Sequence, residues 1–330
     1  MCEICDNMTI NKATNKVNVK SYDPTHTIKL RGAFVAEMNR SFKHVASLVT
    51  KAIVEDDVFG LEENKLQVLQ NTPGRKAFVF MTKAEKMQAF LEWLRQVEDA
   101  VLLELKVDMQ YGVLARNPWF GIYLAKAFKQ GTERAKQELK KAGLTVVLSD
   151  GIDTIYLNPV SVEKLMVIFT RAYTDLQGIT ATMDAQISRI LATGLFEGQS
   201  PITLARMINS AIIGGGESLG QQISYINKAG KTVTYFMSGR RRSEIFARTE
   251  VIRAHHLATI TEYRTWEVEG VYVLAEWSTA GDGRVCEACS SLQGTIWTLD
   301  EIENKIPFHP MCRCCSIPYV DTTRTKIGGQ

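Results

Sequence analysis

The chain has 330 residues, 45% of them hydrophobic, and a formal net charge of +3. That is enough apolar material for one large domain or two smaller ones, and too little charge to demand nucleic acid by itself. No stretch reaches the ~18 uncharged apolar residues of a membrane span, and Met1-Cys-Glu-Ile-Cys-Asp lacks the basic flank and apolar run of a signal peptide.

Residues 1–22 read as a flexible start. Cys2 and Cys5 share a Cys-x-x-Cys spacing but have no second pair nearby, so a metal role there is the less favoured reading. Asp23-Pro24-Thr25-His26-Thr27 opens a helix, with proline in its first turn. Leu30, Phe34, Met38, Phe42, Val45, Val49 and Ile53 then recur at helical steps, which predicts a long amphipathic helix ending near Gly60. Residues 61–75 read as loop and Lys76–Phe80 as a short strand. Thr82 and Glu85 form a capping box. The helix behind it buries Met87, Phe90, Leu91, Leu94, Val97 and Val101, with Trp93 off the stripe and available to a partner or a neighbouring helix.

Asn117-Pro118 reads as an N-cap and first turn, and Gly143 as the stop of that helix. Ile122, Phe128, Ala135 and Leu139 are its expected inner face. Its Lys- and Arg-rich segment 126–141 could meet DNA or an acidic partner; a solvated helix surface is the preferred reading. Leu144–Leu148 is a strand candidate. Asp150-Gly151 and Asn158-Pro159 punctuate an expected domain boundary within 146–158. Ser161 then caps a helix carrying Leu165, Phe169, Ala172 and Leu176. Gly178 separates it from another with Met183, Ile187 and Ile190, and Ser200-Pro201 opens a third with Leu204, Ala205 and Ile208.

Gly214-Gly-Gly216 lacks the Lys-Ser/Thr and the preceding strand of a phosphate loop, so it reads as a connection. Gln222–Phe236 reads as a hairpin about Gly230. A helix follows from Arg240 to Glu267. Its basic first half, 240–253, could also contact nucleic acid, although no aromatics interleave with the charges. Glu250 and Arg248 could be catalytic or phosphate-binding; a buried ion pair or cap is preferred. His255 and His256 diverge by about 100° on a helix, so they read as one surface and one core residue rather than a site. Val271–Trp277 and Cys315–Tyr319 read as strands, and the tail from Asp321 as disordered.

Five of the 7 cysteines fall between Trp277 and Tyr319. Cys286-Glu-Ala-Cys289 aims two thiols at one point, and His309-Pro-Met-Cys312-Arg-Cys314 supplies a second knuckle. Two knuckles joined by about 15–20 residues suit tetrahedral Zn²⁺. Cys286, Cys289, His309, Cys312 and Cys314 are the candidate ligands for four places. Cys286 and Cys289 are the firmest, and Cys314 can replace His309 or Cys312. Cys315 faces the other way if the strand is extended. Inert core cysteines are the competing reading, as is a redox pair, which would want a strand-to-helix turn that is missing here. With no carboxylate among the ligands, the site reads as closed and structural. Free thiols beside zinc suit a reducing cytoplasm. The expected class is α+β, mostly helical: a helical N-terminal domain at 23–150 and a C-terminal module at 151–320 with the zinc cluster at 277–319.

Asp282-x-Arg284-x-Cys286-x-x-Cys289-x-x-Leu292-x-Gly294, followed by His309-Pro310-x-Cys312-Arg313-Cys314, resembles the phage Mu F-like minor head proteins. The start at Asp23-Pro24-Thr25, Asp57-x-Phe59-Gly60-Leu61, Lys83-x-x-Lys86…Trp93-Leu94, Trp119…Tyr123…Ala127-Phe128-x-x-Gly131 and Ala247-Arg248-Thr249-Glu250-Val251 look similar to the same family. Gln293, where an acidic residue often stands, and the extra Cys315 depart from it. The lack of an acid/base constellation argues against an enzyme. The resemblance implies a head-morphogenesis protein, a minor capsid protein. It would be recruited to the procapsid through the portal, contact capsid or scaffold proteins, travel in the virion after assembly in the host cytoplasm, and influence DNA packaging or ejection. A zinc-containing nucleic-acid-binding protein and a transferase- or toxin-like enzyme, including an ADP-ribosyltransferase-like one, are the alternatives. Against the enzyme stand the lack of His-Glu-x-x-His and of a recognisable Ser-His-Asp set.

Overall fold

The computed structural model describes residues 23–61, 83–108, 115–142, 159–213, 221–226, 232–237, 239–268 and 271–320. Helices dominate: α1 (Ile28–Thr50), α2 (Lys83–Val101), α3 (Gly121–Lys141), α4 (Pro159–Glu197), α5 (Pro201–Ile213) and α6 (Gly239–Val268), with short α7 (Glu287–Ser290) and α8 (Leu299–Ile302). Strands β1 (Leu105–Asp108) and β2 (Ala115–Pro118) pair with each other, as do β3 (Gln221–Ile226) and β4 (Thr232–Met237). A three-stranded antiparallel sheet has the order β6–β5–β7, from β5 (Val273–Ser278), β6 (Ile296–Trp297) and β7 (Cys315–Val320). This is the expected mostly helical α+β class. No described helix is long and apolar enough to cross a membrane.

The chain forms two compact units, each drawn from separate segments. One comprises the residues up to Phe34, Lys106–Ala172 and those from Glu244 on; the other is Val35–Leu105 with Tyr173–Ser243. The expected boundary at 146–158 lies outside the described residues, as do Cys2, Cys5, Lys76–Phe80, Thr82, Gly143, Leu144–Leu148, Gly214–Gly216 and the tail from Asp321.

In the second unit, the α1 stripe Met38, Phe42, Val45 and Val49 is fully buried, and Ile53 continues it through a π-turn at Lys51–Glu55. Phe59 packs on Phe90 of α2 at 5.1 Å between ring centroids, and Trp93, half-buried, lies 5.3 Å from Phe90. Gly178 does not divide two helices, since α4 runs unbroken through it. Its missing side chain costs only about 1 kcal/mol in a helix interior, while Leu176, Met183, Ile187 and Leu191 bury one continuous stripe. Ser161 lies within α4 instead of capping it. Ser200 does cap α5, accepting from Thr203 N at 3.3 Å. The hairpin about Gly230 is present, with Ile226 opposite Thr232.

In the first unit, Asp23 takes the N-terminal role for α1, accepting from Ile28 N at 3.0 Å and from Arg31 at 2.9 Å. Phe34 stacks on Tyr123 at 4.8 Å and meets Phe120 and Phe246. Asn117 and Pro118 belong to β2 and not to a helix start; α3 begins at Gly121. That shift turns Ile122 outward, 53% exposed, while Phe128, Ala135 and Leu139 point inward as expected.

Helix α6 buries far more than a single stripe. Arg242, Ser243, Phe246, Glu250, Val251, Ala254, His255, His256, Thr259 and Tyr263 are all buried, so the helix has little polar face. Arg242 reaches the carbonyls closing α5, Ala211 O at 3.2 Å and Ile212 O at 2.6 Å, and lies 5.3 Å over the Phe42 ring. Part of the expected basic face of 240–253 is therefore internal cement. Both histidines are inside, and burial lowers the pKa of each, His256 to about 4. The expectation of one surface histidine is thus corrected.

Candidate metal centre

Sheet register builds the centre. Ser278 closes β5 directly opposite Cys315, which opens β7. The loop leaving β5 and the loop entering β7 are thereby set side by side, and each carries one knuckle. Val273, Ala275 and Trp277 face inward along β5. They share one apolar cluster with Ile252, Ile260 and Tyr263 of α6 and with Cys286, Cys289, Cys312 and Cys314.

Cys286 has extended backbone at the N-cap of α7, and its Sγ accepts from Cys289 N at 3.4 Å. The second knuckle repeats the device: Cys314 N donates to Cys312 Sγ at 3.5 Å, and Cys312 N to His309 O at 3.1 Å. Met311 takes positive φ (65°) to make this turn. An N–H aimed at sulfur favours the thiolate that a metal requires.

Five donors converge. Cys286, Cys289 and His309 form one group, and Cys289, Cys312 and Cys314 another, with the donor atoms of each group within 4.8 Å of one another. His309 Nε2 lies 3.2 Å from Cys286 Sγ and 3.0 Å from Cys289 Sγ. Its Nδ1 lies 2.7 Å from Pro310 O. A carbonyl acceptor assigns the proton to Nδ1 and leaves Nε2 with the lone pair that a ligand needs. The four cysteines are 1–5% exposed, and His309 is half-buried at the rim. All four thiols are free of disulfides. Hydrogen bonds from Cys289 and Cys314 favour the Cys312 thiolate and pull its pKa down. Soft donors crowded in an apolar setting fit a metal that neutralises thiolates; inert core cysteines would not need knuckle turns. Cys315 turns away, with Arg134 Nη2 donating to its Sγ at 3.3 Å.

Asp282 stiffens the first loop. It accepts from Arg284 N at 3.1 Å and Arg284 Nη2 at 3.0 Å, and it forms a two-pronged pair with Arg313, whose Nη1 lies at 2.5 Å. Arg313 first, and Arg284 after burial's opposing effect, hold its carboxyl well below the usual range. This carboxylate is committed to structure. Gln293 Oε1 accepts from Thr279 N and Oγ1, both at 2.7 Å, so it ties the loop together. Glu250 pairs with Arg253. Thr249 Oγ1, which accepts from Met311 N at 3.4 Å, ties α6 to the second knuckle. Thr249 and Arg134 carried no sequence signal for these roles beyond the run Ala247–Val251 and a basic helix.

Fold and cluster define a helical protein with a Cys/His knuckle module set on a small antiparallel sheet. Residues 185–317 match the family model described as Phage Mu protein F like protein, so that stretch is similar to the family. No curated protein and no solved structure gives a match.

Proposed function

We propose that the protein is a minor head protein of a tailed bacteriophage, assembled in the host cytoplasm and carried in the virion. Residues 23–150 would serve as its helical partner-binding domain and 151–320 as its Mu F-like module. The portal is its recruiting partner, with capsid or scaffold proteins as further contacts and an influence on DNA packaging or ejection. Four of Cys286, Cys289, His309, Cys312 and Cys314 hold a structural zinc, and burial favours the four cysteines. One observation supports this most: five donors converge within the family-matched segment, while the nearby Asp282 is paired with arginines. Zinc there would supply folding energy and rigidity; the chain's own residues position the thiols and shut out solvent.

The test is metal analysis of the purified full chain, followed by co-expression with the portal protein. We expect stoichiometric zinc, loss of thermal stability on chelation, and portal that co-purifies. A folded, zinc-free protein indifferent to chelator removes the metal reading. Zinc-loaded protein that never captures portal removes the recruitment reading.

A further inference from the structure

Between the end of α1 and the face of α2, both in the second unit, lies a cavity of about 240 Å³. Helix α1 leaves its regular winding here, in the π-turn at Lys51–Glu55, and such turns recur at functional sites. The turn beyond is pinned in place. Val58 N donates to Ala52 O at 3.1 Å and Leu61 N to Asp57 Oδ1 at 2.8 Å, with Asp57 at positive φ (44°). Ala52, with a single methyl, leaves room on the α1 side. On α2, Lys86, Phe90 and Trp93 follow at steps of four and three, so they share one face. Phe90 is 4% exposed, and the half-buried Trp93 lies 5.3 Å from it, tilted by 45°.

Charge surrounds this apolar lining. Lys86 Nζ donates to Phe59 O at 2.6 Å, which holds the ammonium beside the cavity and commits one of its three donors. Lys51 is exposed, and among the described lining residues Asp56 is the one carboxylate. Two ammonium groups against one carboxylate leave the rim net positive. Size and charge together choose the occupant. The cavity is smaller than the ~300–1,000 Å³ of a small-molecule pocket and suits one large apolar side chain. Aromatic residues in such a recess are the usual anchors of protein–protein contacts. We propose that the cavity is a docking site for an acidic segment of a partner protein. One apolar or aromatic side chain of that segment enters against Phe90 and Trp93, and a neighbouring carboxylate meets Lys51 and Lys86. The inference rests on the reading of residues 23–150 as the partner-binding domain and names its anchor.

The test probes the full chain with a synthetic array of pentapeptides, each with one central residue flanked by Asp and Glu or, as a control, by Lys. We expect acidic peptides with a central Leu, Phe or Trp to bind, and their Lys-flanked counterparts not to. Trp93→Ala should weaken this binding by ~10–30-fold, and Lys51→Glu should remove its salt dependence. If Trp93→Ala does not fold, the exposed Lys51→Glu decides the matter. An array without binders, equal binding of acidic and basic peptides, or variants that bind like wild type would overturn the assignment. So would self-association of the chain that both variants abolish, which gives the cavity to a second copy. Co-expression with portal separates this inference from the recruitment reading. Portal captured by wild type and equally by both variants leaves recruitment standing and overturns the docking site. Peptides bound through the cavity, with no portal captured by wild type, remove the recruitment reading and keep the docking site.

Discussion

Asp282 has its side chain 7% exposed and two arginines on it. Removing one partner of such a pair leaves an uncompensated charge, so Asp282→Asn should cost about 3–5 kcal/mol at pH 7. The sign of its pH dependence follows from the depressed pKa. On acidification the unfolded chain protonates this carboxyl first, near ~3.9, and the folded chain only later. Asp282 therefore contributes fully above pH ~4, and its contribution drains away as pH falls through the folded value. Urea unfolding of wild type and variant should show a gap at pH 7 that narrows below pH ~4; both share every other titrating group, so the difference isolates Asp282. At this scale the convergence of the five candidate donors was readable, because knuckle spacing is local. The Asp282–Arg313 pair was not, since nothing in the sequence says that the two loops meet. Nor was the burial of Arg242, which depends on what covers α6.

Among the elements, α3 and α6 show a close approach that one residue permits. A Cβ on Gly131 would lie 2.2 Å from His255 O and 2.9 Å from the Ala258 Cβ. Thr259 Oγ1 also spans the contact, reaching Gly131 O at 3.4 Å. Neither backbone can yield cheaply, so Gly131→Ala should destabilise the protein by about 1–3 kcal/mol, despite alanine's better helix propensity. Thermal melting checks this, and a neutral or stabilising result would contradict the packing described. Helical periodicity located α1, α2, α5 and α6, because each carries a long apolar repeat. It failed at Gly178, where propensity alone could not show that one stripe continues, and at Pro118, where strand and helix starts share residue types. The charges of α6 misled for a related reason: a basic run looks solvated until neighbours are known to enclose it.

For the molecule as a whole, stability at alkaline pH turns on Glu98, in the second unit. Glu98 is 2% exposed. Burial first, then the facing Asp184 and Asp99, push its pKa up to about 9, with Arg95 opposing. The folded chain keeps a proton that an unfolded carboxyl sheds near ~4.3, so this group's contribution to stability falls as pH climbs from ~4.3 towards about 9. Glu98→Gln retains the shape without the charge. It should gain on the order of 1–3 kcal/mol at pH 7 and flatten the alkaline decline, which denaturant midpoints at pH 6, 7.5 and 9 would measure. The assembly of both units from interleaved segments was beyond sequence reading, because composition changes little along the chain and only tertiary contacts reveal it.

The adjacent thiols at 314 and 315 have a consequence for strand alignment. Were β7 to shift by one position, its two faces would exchange, yet Cys315 would bring a sulfur to the side Cys314 now occupies, so thiol chemistry alone does not distinguish the two frames. The salt link of Asp282 with Arg313 does, because neither neighbour of Arg313 is a basic residue; the threading of the last strand is fixed by charge recognition.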